Sequence, residues 1–201
     1  MKHLPTCEVC PFHKLNRRMV SGKGNKKAEL LLIGEAPGKT ETRYGVPFVG
    51  EAGKLLNHVL RKLSINRDKI YITNVFKCQP PDNKLPSKKQ QEACWMACRG
   101  YLMSELVKVG PKVVVLMGNT PLSFLAHKNF ISKWEGLEVG WGREITMKNK
   151  VFACYHPAAA LRAPRLEARI ATALYVAAKK AGLKPKPIGM EAGMYDYQLR
   201  S

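Results

Sequence analysis

The sequence contains no apolar run approaching the ~20 residues that a membrane-spanning helix requires, and its basic start is not followed by a hydrophobic stretch. A soluble, intracellular, cytoplasmic protein is therefore expected, in which disulfides are disfavoured. Acidic residues are scarce: 15 Asp and Glu stand against 34 Lys and Arg, for a formal net charge of +19. So basic a chain favours a polyanionic partner, nucleic acid first, and places the protein with the nucleoid. No basic amphipathic helix stands out, which argues against an acidic membrane surface. There is no internal repeat, no G-x-G-x-x-G and no G-x-x-x-x-G-K-[ST], so solenoids, dinucleotide-binding turns and P-loops are set aside. At 201 residues the length suits one α/β domain, expected over residues 1–181, with 182–201 as a flexible or docked tail.

Of the six cysteines, Cys7 and Cys10 form a close pair, and Cys78 and Cys94 a wider one sixteen residues apart. The two pairs meet only if the intervening chain folds compactly. Zinc ribbons use two tight C-x2-C knuckles, whereas here only Cys7-Glu8-Val9-Cys10 is tight, so a four-cysteine iron–sulfur cluster suits the spacing better. The bland alternative is a set of buried free thiols. Cys98 follows Cys94 by one helical turn, and Cys154 sits in an apolar run expected in the core.

The apolar pattern alternates between strands and helices. Residues 28–33 form a short apolar run closed by Gly34 and read as a buried strand, followed by a loop rich in Gly and Pro. From Glu51 apolar residues recur at helical spacing as far as Leu63. Residues 70–75 read as a second strand, and Ser87 as the N-cap of a helix running toward Val107. Residues 112–117 read as a third strand, ending at Gly118, and Asn119 opens a short helix. Residues 140–147 and 151–155 read as two strands joined by a polar turn, and 164–180 as a last amphipathic helix. This order predicts a three-layer α/β/α sandwich around a mostly parallel sheet, with ligands at the strand C-termini.

Three segments fall at such ends: Gly34-Glu35-Ala36-Pro37-Gly38, Thr73-Asn74 and Tyr155-His156-Pro157-Ala158, with Phe48 close behind the first. Together they offer turn amides, a carboxylate, an aromatic plate, an Asn and a His, a set able to bind a flat heterocycle with imide-like edges. Taken singly, Phe48 could plug a loop, Asn74 could satisfy strand-end backbone groups, and His156-Pro157 could be a turn.

Over residues 4–180 the chain resembles the uracil-DNA glycosylase superfamily, most closely its iron–sulfur branch, family 4. The likeness rests on the 34–38 segment, on Gly45-Val46-Pro47-Phe48-Val49-Gly50-Glu51-Ala52-Gly53, on Ile72-Thr73-Asn74-Val75-Phe76-Lys77-Cys78, on His156-Pro157-Ala158 with Leu161-Arg162, and on the cysteine spacing. The resemblance implies hydrolysis of the N-glycosidic bond of deoxyuridine in single- or double-stranded DNA, and a [4Fe-4S] cluster on Cys7, Cys10, Cys78 and Cys94. By the same resemblance, Phe48 stacks on uracil, Asn74 pairs with O4 and N3–H, and His156 meets the charge on O2. Gly34, Glu35 and Ala36 line the base, Glu35 positions water, Glu41 shapes the pocket near C5, and Leu161 and Arg162 enter the minor groove. A monomer is expected. The alternative of another class is a catalytically weak DNA-binding or replication-associated module that keeps the fold. A relative that traps DNA covalently through a basic loop is disfavoured, because no His lies between Lys77 and Lys88.

Overall fold

The computed structural model describes Cys10, Phe12 and residues 19–188. Within them five strands form one sheet: β1 (Lys23–Gly24), β2 (Leu30–Gly34), β3 (Tyr71–Asn74), β4 (Val113–Met117) and β5 (Lys150–Cys154), ordered β1-β3-β2-β4-β5. All neighbours run parallel except the two-residue β1, which is antiparallel to β3. Six helices flank them: α1 (Lys39–Tyr44), α2 (Glu51–Lys62), α3 (Lys88–Val109), α4 (Asn119–Ala126), α5 (Pro157–Arg162) and α6 (Leu166–Lys180).

The central strands read as unbroken apolar runs because both faces are covered. In β2, Leu30 and Leu32 face one core with α2 and α6, while Leu31 and Ile33 face another with α3 and α4. The layers are therefore α/β/α, as the sequence pattern implies. Leu56, Val59 and Leu60 of α2 are essentially water-free, and each such burial contributes ~1.5–3 kcal/mol. Helix α6 presents Ala171, Ala173, Ala177 and Ala178 to the core, small side chains that let it lie close to the sheet. After it, Leu183 and Ile188 pack on the same core and the Lys186 N–H donates to the Leu63 carbonyl at 2.8 Å.

Register sets the site. Gly34 pairs with Asn74, Ile33 with Leu116 and Met117 with Cys154, so the C-termini of β3, β2, β4 and β5 end at one level. The chain leaves β2 for β3 on one side and then returns to β4 on the other, which makes the end of β2 the topological switch point where a ligand crevice opens.

Two expectations need correction. The loop after Gly34 contains α1, whose one buried residue is Glu41, so it carries no apolar periodicity to betray it. Residues 140–147 form no strand. Gly140 takes φ 70°, and the Gly142 N–H is committed to the Leu125 carbonyl at 2.7 Å. The flank of β5 is taken instead by residues 135–139, through isolated bridges from Glu135 to Ala153 and Glu138 to Phe152 and a Val139 N–H bond to the Val151 carbonyl at 2.7 Å.

Candidate functional site

The strand ends open into a cavity of about 530 Å³. Of the residues singled out in the sequence, Glu35, Ala36, Glu41, Phe48, Asn74, His156 and Arg162 line it. Gly34 stands outside the lining, directly behind Asn74 and Phe48. A Cβ there would stand 2.5 Å from both Asn74 Oδ1 and Phe48 Cζ, so only glycine lets those two side chains close over the end of β2. Leu161 stands outside the lining, 49% exposed on α5 beside Arg162.

Asn74 ends β3 and is 1% exposed. Its Oδ1 is buried without a hydrogen-bond partner. An unmatched buried acceptor costs ~1–3 kcal/mol, so this oxygen is set for a donor that arrives with a ligand. The strand end that carries it is fixed from behind. The buried Lys77 ammonium donates to the Asn74 carbonyl at 2.9 Å, to Thr73 Oγ1 at 2.7 Å and to Glu105 Oε2 at 2.7 Å. Glu105 also accepts from Thr73 Oγ1 at 2.6 Å and from the Gly22 N–H at 2.8 Å, joining α3 to the segment before β1.

Phe48 is 4% exposed and has φ 55°, a left-handed conformation that a bulky residue keeps only when its surroundings insist. Two side chains insist. Glu41 Oε1 accepts the Val49 N–H at 3.1 Å and the Gly50 N–H at 2.8 Å; Gly50 is the N-cap of α2 and has no side chain to do this itself. Arg67 donates to the Pro47 carbonyl at 2.8 Å and to Asn57 Oδ1 at 2.5 Å. Glu41 is thus a buried loop clamp, not a solvated loop charge.

His156 caps α5: its Nδ1 accepts the Ala158 N–H at 3.2 Å. With Nδ1 an acceptor, the neutral ring carries its proton on Nε2. Burial, aided by the Arg162 charge and opposed by Glu41, pushes the imidazole down to about 4. The ring is therefore neutral near pH 7, a fixed N–H donor in the cavity. It packs 5.5 Å from the Phe48 ring, tilted by 39°. Gly118, at φ 97°, follows β4 and precedes α4; a Cβ there would be 3.0 Å from that of His156. Glu35 accepts a hydrogen bond on Oε2 from the Thr120 hydroxyl of α4.

Sequence reasoning missed Thr120, Arg67, Lys77 and Glu105 as parts of this assembly. A lysine between Phe76 and Cys78 in a buried stretch was the one visible signal. Thr120 lies 85 residues from Glu35 and Glu105 lies 28 from Lys77, so their partnership exists only in the fold.

Of the four proposed cluster ligands, Cys7 lies outside the described residues. Cys10, Cys78 and Cys94 are buried in one core cluster with Phe12 and Phe76. A hydrogen bond with Cys10, together with burial, pushes the Cys94 thiol far up, with Cys98 adding to the effect. Crowded thiols of this kind ionise only beside a compensating cation, so the donor set suits a soft metal centre. Among the described residues no three such side chains close on one ion.

Comparison with known proteins places these features in a lineage. The sequence model of the uracil DNA glycosylase superfamily matches residues 21–178. A Type-4 uracil-DNA glycosylase of Archaeoglobus fulgidus is 39% identical over 174 residues, 83% of each chain. One from Thermotoga maritima is 37% identical over 78% of each, and one from Saccharolobus solfataricus 35% identical over 94% of this chain and 87% of its own. A match that spans the sheet and every cavity wall is more than a local motif, and the chain belongs to the uracil DNA glycosylase superfamily.

Proposed function

We propose that the protein is a uracil-DNA glycosylase of base excision repair, a hydrolase that cuts the N1–C1′ bond of deoxyuridine in DNA to release uracil and leave an abasic site. The observation that carries this reading is the unpartnered Asn74 Oδ1, buried at the level where β2 and β3 end beside the Phe48 ring. Uracil brings a donor at N3–H and an acceptor at O4, which match the carbonyl and amino groups of one amide. Cytosine presents the reverse order and leaves both unpaired, so discrimination follows from unmatched buried polar groups.

The target nucleotide leaves the base stack to reach the cavity, at least cost where it is mispaired or single-stranded. Uracil then lies on Phe48, with Gly34, Glu35 and Ala36 along its edge. As the N1–C1′ bond lengthens, positive charge grows on the sugar and negative charge on the base. The His156 Nε2–H meets O2 as that charge develops, and turn amides around Ala36 assist. Glu35, with one oxygen held by Thr120, keeps the other for orienting the attacking water, whose oxygen bonds to C1′. Glu41 shapes the C5 side of the cavity by fixing the 48–50 loop against it. Leu161 and Arg162 enter the minor groove and fill the gap left by the base.

Cys7, Cys10, Cys78 and Cys94 would hold a [4Fe-4S] cluster, which supplies a structural clamp between the N-terminal arm, the end of β3 and α3. The protein acts on DNA inside the cell as a monomer; no helix among the described residues is long and apolar enough to cross a membrane. Relatives named for glycosylase activity favour the enzyme over a catalytically weak DNA-binding module. The test is incubation with a uracil-containing oligonucleotide followed by alkali. Strand cleavage at the uracil is expected; intact single- and double-stranded substrates would refute the reading.

A further inference from the structure

Three large apolar side chains stand in solvent near the cavity mouth on separate elements: Tyr44, Phe130 and Leu161 are 60%, 68% and 49% exposed. Leu161 has a role in the reading above; the two aromatics have none. Tyr44 lies one helical turn beyond Thr40, which lines the cavity, so both share a face of α1. Phe130 directly precedes Ile131, another lining residue, whose N–H is tied to Asn119 Oδ1 at 2.8 Å. That bond fixes the backbone next to Phe130 beside the cavity lining.

Phe130 is an expensive residue in this position. Its φ is 61°, where glycine or asparagine is favoured and a bulky side chain is an outlier. Burial often compensates such strain, as it does for Phe48, yet the Phe130 ring is left in water. Each exposed ring also has a cation beside it. The Lys133 ammonium lies 5.5 Å from the Phe130 ring centre, and the Arg43 guanidinium carbon 5.6 Å from that of Tyr44. Aromatic plates interleaved with cations on a strongly basic chain are the composition of a surface that stacks unpaired bases and holds their phosphates.

We propose that Tyr44 and Phe130 are stacking plates for the unpaired bases that flank the extruded uridine, so that single-stranded DNA is gripped by its bases as well as by its backbone. In a duplex the flanking bases are paired and stacked on each other, and the plates have nothing to take. The proposal rests on the glycosylase reading and adds a substrate preference to it.

The test compares uracil release from one oligonucleotide, single-stranded and annealed, by the wild type, Phe130→Asn, Phe130→Trp and Tyr44→Ala. Asparagine keeps the left-handed backbone while removing the ring. Loss of a stack raises KM for the single strand roughly five-fold or more, and for the duplex by less than about two-fold, in Phe130→Asn and Tyr44→Ala. Phe130→Trp restores the wild-type value. The slope of log KM against log salt stays constant in Phe130→Asn and shrinks in Lys133→Ala, because only the lysine releases a counterion. A 2-aminopurine placed beside the uracil is quenched on binding wild type and less so on binding Phe130→Asn. Equal changes on both substrates, or unchanged KM and unchanged quenching, would overturn the proposal and leave the rings as a protein-docking patch. A wild type that releases no uracil from either substrate would instead remove the reading beneath it.

Discussion

His156 joins two tasks in one ring: Nδ1 caps α5, and this leaves Nε2 as the proton-bearing donor. Its folded pKa of about 4 lies below the ~6.5 of a free imidazole, so at intermediate pH the unfolded chain binds the proton and the folded chain does not. Its contribution to stability is therefore complete above about pH 6.5 and is lost as pH falls toward about 4. Nitrogen NMR at pH 6 should find Nε2 protonated and Nδ1 bare; a titration midpoint near 6.5 would contradict this cap-fixed tautomer. His156→Ala should lose about 10²–10³-fold in kcat while still binding DNA, the usual effect of deleting one donor to a developing anion. Under the proposed function Asn74 would act differently, because its partner would be the base itself. Asn74→Ala should cost ~1–3 kcal/mol per lost hydrogen bond in kcat/KM for uracil, with folding stability unchanged or raised once the orphan oxygen is gone. A variant that folded less well yet kept wild-type kinetics would show that Oδ1 serves the fold alone.

At the scale of elements, the 47–50 loop shows why local sequence sufficed for some parts of the site and failed for others. Pro47-Phe48-Val49-Gly50 was visible as a motif, but what holds Phe48 at φ 55° comes from Glu41 on α1 and Arg67 before β3. Glu41→Ala strands two N–H groups and should destabilise by about 1–3 kcal/mol and raise KM, while Glu41→Gln keeps an acceptor oxygen and should recover most of the loss. Thermal unfolding beside steady-state kinetics would check both. The buried strands were legible because apolar runs of this length have few other homes. Helix α1 was not, since its sequence KTETRY has no apolar face, and residues 140–147 misled because their composition suits a strand while two glycines commit their backbone elsewhere. The Lys77–Glu105 pair was equally hidden, its two halves lying on β3's exit and on α3. Lys77→Met leaves Glu105 without its cation and should cost about 3–5 kcal/mol; Lys77→Met with Glu105→Leu should cost less, a comparison that denaturant titration can make.

Across the whole molecule, the proposed cluster would tie distant parts of the chain to the strand that presents Asn74, since Cys78 follows it by four residues. Protein purified without oxygen should be brown, contain iron and acid-labile sulfide, and bleach on oxidation. Cys94→Ser should lose the colour and unfold at lower temperature; stoichiometric zinc without iron would overturn the cluster assignment. The strand-end motifs were readable from sequence because the chain stops each central strand at one level, Gly34 beside Asn74 and Met117 beside Cys154. The supports behind them were not, because side chains as far apart as Glu35 and Thr120 have no sequence-local reason to be partners.

The borders of the sheet have a bearing on how the protein survives at high concentration. One border is β1, only two residues long, bearing Lys23 and then Gly24 at φ 135°. The other is β5, whose outer flank is occupied irregularly by residues 135–139. Among the described residues neither offers a long straight row of free N–H and C=O groups onto which a second chain could add a strand. Parallel sheets assemble slowly and pass through states with exposed strands, so blunted borders protect the finished fold from the fibrous association that its apolar strands would otherwise invite.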